Sequence, residues 1–340
     1  MKLWVMLGLV GVALYLAGNV AYHRATDPLT DGTGPRTVKT VDIPEGATFR
    51  QVAALLEKEH LIASQWGFVL LGKVTGVDRR VLAGEYALHS DLRPQEILAE
   101  LLSGRVVLHP VTIPEGYTAA QIADLLGQKG LGNPVEFLTL VHDRSFIHTL
   151  LPDAAGLSSL EGYLFPDTYS FAKRAETKDI VRTMVEGLEK VLTPELRVRA
   201  RDLNMTVHQV LTLASVIEKE TGSTGERELI SAVFHNRLRR HIPLQSDPTV
   251  IYGLSSFDGN LRKRDLAAPS PYNTYRVTGL PPGPIANPGA GSIRAALYPV
   301  PTTYLYFVSR NDGTHAFSST LAEHNRAVDK YQRRPVRRLS

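Results

Sequence analysis

No cysteine occurs in the 340 residues. That excludes disulfides and thiolate metal ligation, though it does not locate the protein. Basic residues exceed acidic ones only mildly, for a formal charge of +4. No Lys/Arg stripe is interleaved with aromatics, so no nucleic-acid partner is implied. A His-Glu-x-x-His pair is missing, as are a Gly-x-Ser-x-Gly elbow, a P-loop and a dinucleotide fingerprint. No metal and no cofactor is therefore expected. His315 and His324 could approach each other across a hairpin and a final helix, but structural hydrogen bonding is the expected fate of both.

Long uncharged runs are also scarce, with one exception. Leu3–Tyr22 carries no charge and has the length of a bilayer-crossing helix. Trp4 and Tyr22 lie near its ends, where aromatic rings favour the interface. The run is longer than a usual signal-peptide core and no small-x-small cleavage site follows, so residues 1–24 read as an uncleaved membrane anchor. Lys2 and Arg24 flank it almost symmetrically and leave its orientation unset. Residues 25–36 form a polar Gly/Pro/Thr linker.

The remaining chain reads as α+β. Val41–Leu56 (VDIPEGATFRQVAALL) and Val111–Leu126 (VTIPEGYTAAQIADLL) repeat one pattern. Each is a short strand, a Pro-Glu-Gly turn, a threonine at the N-cap and an amphipathic helix. Leu82–Arg105 gives a further strand, turn and helix, with Ile97, Leu98, Leu101 and Leu102 on the apolar face. Residues 37–108 thereby resemble the small βααβ LysM module that grips N-acetylglucosamine-containing glycans; a purely structural domain is the competing reading. A larger domain spans 109–332. It is largely helical from Pro134 to about Arg201, interrupted by Leu160–Phe171, and ends in a hairpin around Asn311-Asp312-Gly313 and a helix opened by Thr320 and Glu323. Ser292 is expected to cap a short helix, Ser292–Tyr298. The tail 333–340 is basic and expected to be solvated.

The chemistry concentrates around Leu211–Gly222 (LTLASVIEKETG), a helix apolar on nearly every face that carries Glu218 and Glu220 into its last turn. Burial and the negative end of a helix both disfavour a carboxylate, which suits a general acid. Two residues apart on a helix, the two side chains diverge by about 200°, so one is expected to be the acid and the other the partner of an arginine such as Arg227 or Arg237. Periodicity does not choose between them. Glu161 lies in LEGYLFPDTYSF. Asp247, before Pro248, is expected to be an N-cap, and with Ser246 could also line a cleft. Asn273 and Tyr275 lie in a loop stiffened by prolines, and Tyr252 offers a ring that suits the apolar side of a pyranose.

The motifs ASVIEKETG, VFHNRL, PLQSDPTVIYG, SPYNTY, GLPPGPIANPG, SIRAAL and LYFV…GTHAFSSTLAEHN follow each other in the order found in the MltG (YceG-like) endolytic murein transglycosylases. The resemblance covers nearly the whole chain; His241-Ile242 replaces the usual Gly-Met before PLQSDPT. It implies a YceG-like α+β catalytic domain held outside the cytoplasm on the inner membrane. There it would cut the MurNAc-β-1,4-GlcNAc bond within nascent peptidoglycan strands and leave a 1,6-anhydro end. It also implies Glu218, the first Glu of EKET, as the catalytic acid, with Glu161 and Glu220 in support. Ser246, Asp247, Tyr252, Asn273, Tyr275 and Asn325 would hold substrate, and peptidoglycan synthases would be partners. Two other readings compete: a non-catalytic peptidoglycan-binding scaffold, and a pyridoxal-phosphate lyase, which lacks a phosphate cradle near Lys219.

Overall fold

The computed structural model describes residues 36–77, 81–154, 156–220 and 224–333, with isolated positions between 12 and 27. The expected anchor and linker fall largely outside the described residues, as does the tail from residue 334. Among the described residues no helix is long and apolar enough to cross a membrane. The chain divides into two compact units. One holds the residues up to His109 together with Ser170–Arg174, and the other Pro110–Tyr169 and Ala175 onward.

In the first unit, β1 (Val38–Ile43) leads into α1 (Phe49–Lys58) and α2 (Gln65–Thr75). β2 (Gly84–His89) then returns antiparallel to β1, with Val41 opposite Tyr86, before α3 (Pro94–Ser103) closes the layer. Thr48 opens α1 through a capping box with Gln51. The inward faces of these elements form one core that includes Ile43, Leu56, Phe68, Leu88 and Leu101, and Phe49 stacks on Phe68 at 5.3 Å. Residues 170–174 are tied to this unit by charge. Lys173 donates to Glu85 at 2.7 Å and Arg174 to Asp42 at 3.0 Å. The bonds from Lys173 and His109 hold the Glu85 carboxyl below its usual range.

β3 (Leu108–Thr112) pairs with the later β4 (Thr168–Ala172) in a two-stranded sheet. Between them run α4 (Ala119–Gln128), opened by the Thr118/Gln121 capping box, then α5 (Pro134–His142) and α6 (Arg144–Leu150). After β4 come α7 (Thr177–Val191), α8 (Pro194–Asp202) and α9 (Val207–Glu220). A 3-10 turn, Thr224–Glu226, leads into α10 (Arg227–Arg239). α11 (Asp247–Gly253), the one-turn α12 (Lys263–Leu266) and α13 (Ala290–Leu297) follow. The chain then forms the hairpin β5 (Tyr306–Ser309) and β6 (His315–Ser318), and α14 (Leu321–Val328).

α9 is the axis of the second unit. Every residue from Val210 to Ile217 is buried, because α8, α10, α11 and α13 pack around it. Its two hydroxyls are satisfied inside: Thr212 donates to the His208 carbonyl, and Ser215 donates to the Thr212 carbonyl while accepting from the Ile285 amide. Two expected caps are corrected. α13 begins at Ala290 with Gly289 as its N-cap, so Ser292 lies buried inside the helix. α11 has Ser246, not Asp247, in the cap position, and the Ser246 side chain makes no capping bond.

Candidate active site

Three polar clusters sit in the second unit, and they separate residues that the sequence groups together. The first surrounds Glu218. Its side chain is 6% exposed. Oε1 accepts from Arg227 at 3.0 Å, and Oε2 from the Gly289 amide at 3.0 Å. Glu218 therefore faces the N-terminus of α13, where N–H groups and the helix dipole attract an anion. Arg227 also reaches Glu115, in the second Pro-Glu-Gly turn, at 3.2 Å. A side chain at Gly289 would strike the Glu115 carboxylate and displace it from this position. Of the two glutamates, Glu218 is thus the arginine partner.

The second cluster surrounds Glu220. Ser246 Oγ donates to its Oε1 at 2.5 Å. This explains why Ser246 does not cap α11: its hydroxyl is turned to Glu220 instead. Burial pushes the Glu220 carboxyl up from 4.5 to about 7; the Ser246 bond opposes the shift and the Asp247 charge adds to it. Tyr275 Oη donates to Asp247 at 2.6 Å. Arg237 is buried in the same neighbourhood and donates to the carbonyls of Leu305, Pro243 and Leu244. Its guanidinium also lies 5.2 Å from the Tyr306 ring centre. Glu220, Ser246, Asp247 and Tyr275 therefore come together, from three motifs, around one carboxyl group whose pKa is raised to about 7.

The third cluster surrounds Glu161, which is 6% exposed. It accepts from the Ala119 amide at the start of α4, from Asn287 at 2.9 Å and from Tyr252 Oη at 3.4 Å. Burial outweighs these bonds and raises Glu161 to about 7. Asn287 Oδ1 also receives the Gly162 and Leu164 amides. Gly162 has φ +84°, and Pro284 occupies the space that a side chain would need. The Tyr252 ring lies against Tyr272 at 4.9 Å. A cavity of about 780 Å³ opens here, lined in part by Glu161, Tyr163, Glu189, Arg197, His208 and Tyr272. Its volume is that of a small-molecule site. His208 and Glu220 are twelve residues apart on α9, about 18 Å along the axis.

Two further residues expected to hold substrate, Asn273 and Asn325, differ in exposure. Asn273 is fully buried, and its side chain bonds within its own loop. Its Nδ2 donates to the carbonyls of Leu266 and Ala268, and its Oδ1 accepts from the Tyr275 amide, so it braces the loop that carries Tyr275. Asn325 is exposed on α14 and shares no hydrogen bond with the clusters. His315 and His324 do not form a metal pair. His315 Nδ1 meets Glu226 at 2.7 Å, whereas His324 stacks on Tyr306, and no metal-holding group occurs among the described residues. Sequence reasoning missed Asn287. The signal was an asparagine inside a Pro/Gly-rich segment, which by itself reads as a turn.

The α+β fold around a central buried helix is shared with a known family. Residues 41–330 match the model of the YceG-like family, and the chain belongs to it. It is 35% identical over 309 residues to the endolytic murein transglycosylase of Bacillus subtilis (strain 168), covering 87% of this chain and 85% of that protein. It is 33% identical over 362 aligned positions to the endolytic murein transglycosylase of Streptococcus pneumoniae serotype 2 (strain D39 / NCTC 7466), covering 97% of this chain and 65% of that longer protein. A crystal structure of a yceG-like protein from Listeria monocytogenes superposes with a TM-score of 0.59. The identity there is 34%, over 86% of this chain and 99% of that one.

Proposed function

We propose that this protein is an endolytic lytic transglycosylase of peptidoglycan, with Glu220 as its acid and base. The observation that carries the assignment is the state of that carboxyl group: enclosed, raised to about 7, and flanked by Ser246, Asp247 and Tyr275. Glu218, the residue that the EKET resemblance implied, has both oxygens taken by N–H donors, Arg227 and Gly289. Its role in this reading is to fix the ends of α9, α10 and α13 around the acid.

The reaction follows from one such group. Protonated Glu220 gives its proton to the oxygen bridging MurNAc C1 and GlcNAc C4 as the C1–O bond breaks. The resulting carboxylate takes the proton from the muramoyl C6 hydroxyl, whose oxygen bonds to C1 and closes a 1,6-anhydro ring. Glu220 ends protonated, ready for the next cut, and no water is consumed. Hydrolytic glycosidases need a second carboxylate to activate water or trap the sugar. Here the substrate supplies the nucleophile, so one carboxyl group suffices. Ser246 positions the acid, and the Asp247–Tyr275 pair forms its wall. The Glu161 cavity, with its tyrosines, suits a sugar residue further along the strand.

The apolar run 3–22 reads as a membrane anchor that keeps the enzyme beside nascent strands on the outer side of the inner membrane, near the peptidoglycan synthases. The first unit reads as LysM-like. Cutting within strands would end their elongation. Mass spectrometry of glycan strands digested by the full chain tests the reaction class. Internal cleavage with 1,6-anhydro-MurNAc ends is the expected result. Reducing MurNAc ends would make the protein a hydrolase, and intact strands would favour a scaffold.

A further inference from the structure

α2, in the first unit, is apolar on both sides. Its inner face contributes Gly67, Phe68 and Gly72 to the core. Its outer face carries Trp66, Leu70 and Val74, which are 69%, 45% and 78% exposed. These residues are four apart and form one stripe along the helix. Single exposed apolar residues need no explanation. A continuous apolar stripe along a surface helix does. Beside it runs a groove of about 630 Å³ lined by Thr48, Arg50, Gln65, Trp66 and Lys73. Arg50 and Lys73 are exposed and form no ion pair among the described residues, and no carboxylate lines the groove.

Two features say what covers this face. The first is charge: two unpaired cations flanking an apolar stripe headed by tryptophan match an anionic headgroup layer over an acyl boundary. A neutral sugar would leave both cations without a counter-charge. The second is reach. Residues 25–36 separate the apolar run from the first unit, and twelve residues span at most about 40 Å. A unit of this size is about 30 Å across, so the linker holds it within roughly its own diameter of the bilayer.

We infer that the Trp66–Leu70–Val74 face of α2, with Arg50 and Lys73, seats the first unit on an anionic phospholipid surface. This rests on the anchoring of residues 3–22 proposed above. The chain has two tryptophans, Trp4 in the apolar run and Trp66 on the stripe, so the two readings can be separated. The full chain is reconstituted as W4F and as W66F in nanodiscs of phosphatidylcholine and phosphatidylglycerol, with and without bromine on the acyl chains. Loss of Trp66 emission with brominated lipid, released by L70D/V74D while Trp4 in the matching W66F background stays quenched, is the expected result. Trp4 quenched with Trp66 bright overturns the inference and leaves the anchor standing. Neither quenched overturns both. Trp66 quenching that survives L70D/V74D, or Trp66 emission that responds to N-acetylglucosamine oligomers and not to lipid, also overturns it.

Discussion

At the residue scale, the proposed acid is a carboxyl group raised by burial to about 7, and this has consequences for pH. Glu220 in the folded protein lies at about 7, above its ordinary value of 4.5. A raised carboxyl favours the folded state fully below the lower value, and that contribution is lost as pH rises through the higher one. Glu220→Gln keeps the shape and removes the titration. Denaturation at pH 8 is expected to show this variant more stable than the parent by on the order of 1–3 kcal/mol, with the difference closing towards pH 4. Activity is expected to fall on the alkaline side as the donor ionises. Ser246 is the second residue whose role is testable. Its hydroxyl holds the Glu220 anion, so Ser246→Ala is expected to move the alkaline limb of the rate profile to higher pH. Because that hydroxyl does not cap α11, thermal stability should change little. A stability loss with an unmoved profile would make Ser246 a structural residue only.

At the scale of elements, α9 shows what a sequence discloses and what it hides. Its burial was legible, since an all-round apolar run has only one environment that suits it. Leu211→Ala or Ile217→Ala is expected to cost about 2–5 kcal/mol in chemical denaturation. The threonine caps of α1 and α4 were legible for a similar reason: Thr48 with Gln51 and Thr118 with Gln121 are complete within four residues. The division of labour between Glu218 and Glu220 was not. It is decided by Arg227, Gly289 and Ser246, which lie far from α9 in the chain or across a turn, and helical period cannot report such partners. An asparagine in a proline-stiffened loop looks free in sequence, whereas three bonds hold the Asn273 side chain to that loop. Asn287 escaped notice although it joins Gly162, Leu164, Tyr117 and Glu161. Asn287→Leu leaves several of these buried groups unpaired, and a loss of about 3 kcal/mol or more is expected in denaturant titration.

At the scale of the molecule, one repeated sequence pattern serves two ends. Strand, Pro-Glu-Gly turn and capped helix occur in both units. In the second, the turn is built into the Glu218 cluster: Gly116 abuts Glu218, and Glu115 pairs with Arg227. The α+β class and the repeated strand, turn and helix could be read from periodicity and turn residues. The long Pro/Gly-rich stretch from Ala267 to Gly289 could not, because it has no period of its own. Its path is set by hydrogen bonds from Asn273 and Asn287 and by close approaches such as Pro284 to Gly162. The account rests on one exchangeable proton at Glu220. The most direct test is to incubate E220Q and E218Q, each shown folded by circular dichroism, with nascent glycan strands and to count 1,6-anhydro-MurNAc ends by mass spectrometry. E220Q is predicted to yield none, and E218Q to retain measurable turnover. Anhydro ends from E220Q at the parental rate, with none from E218Q, would contradict the assignment.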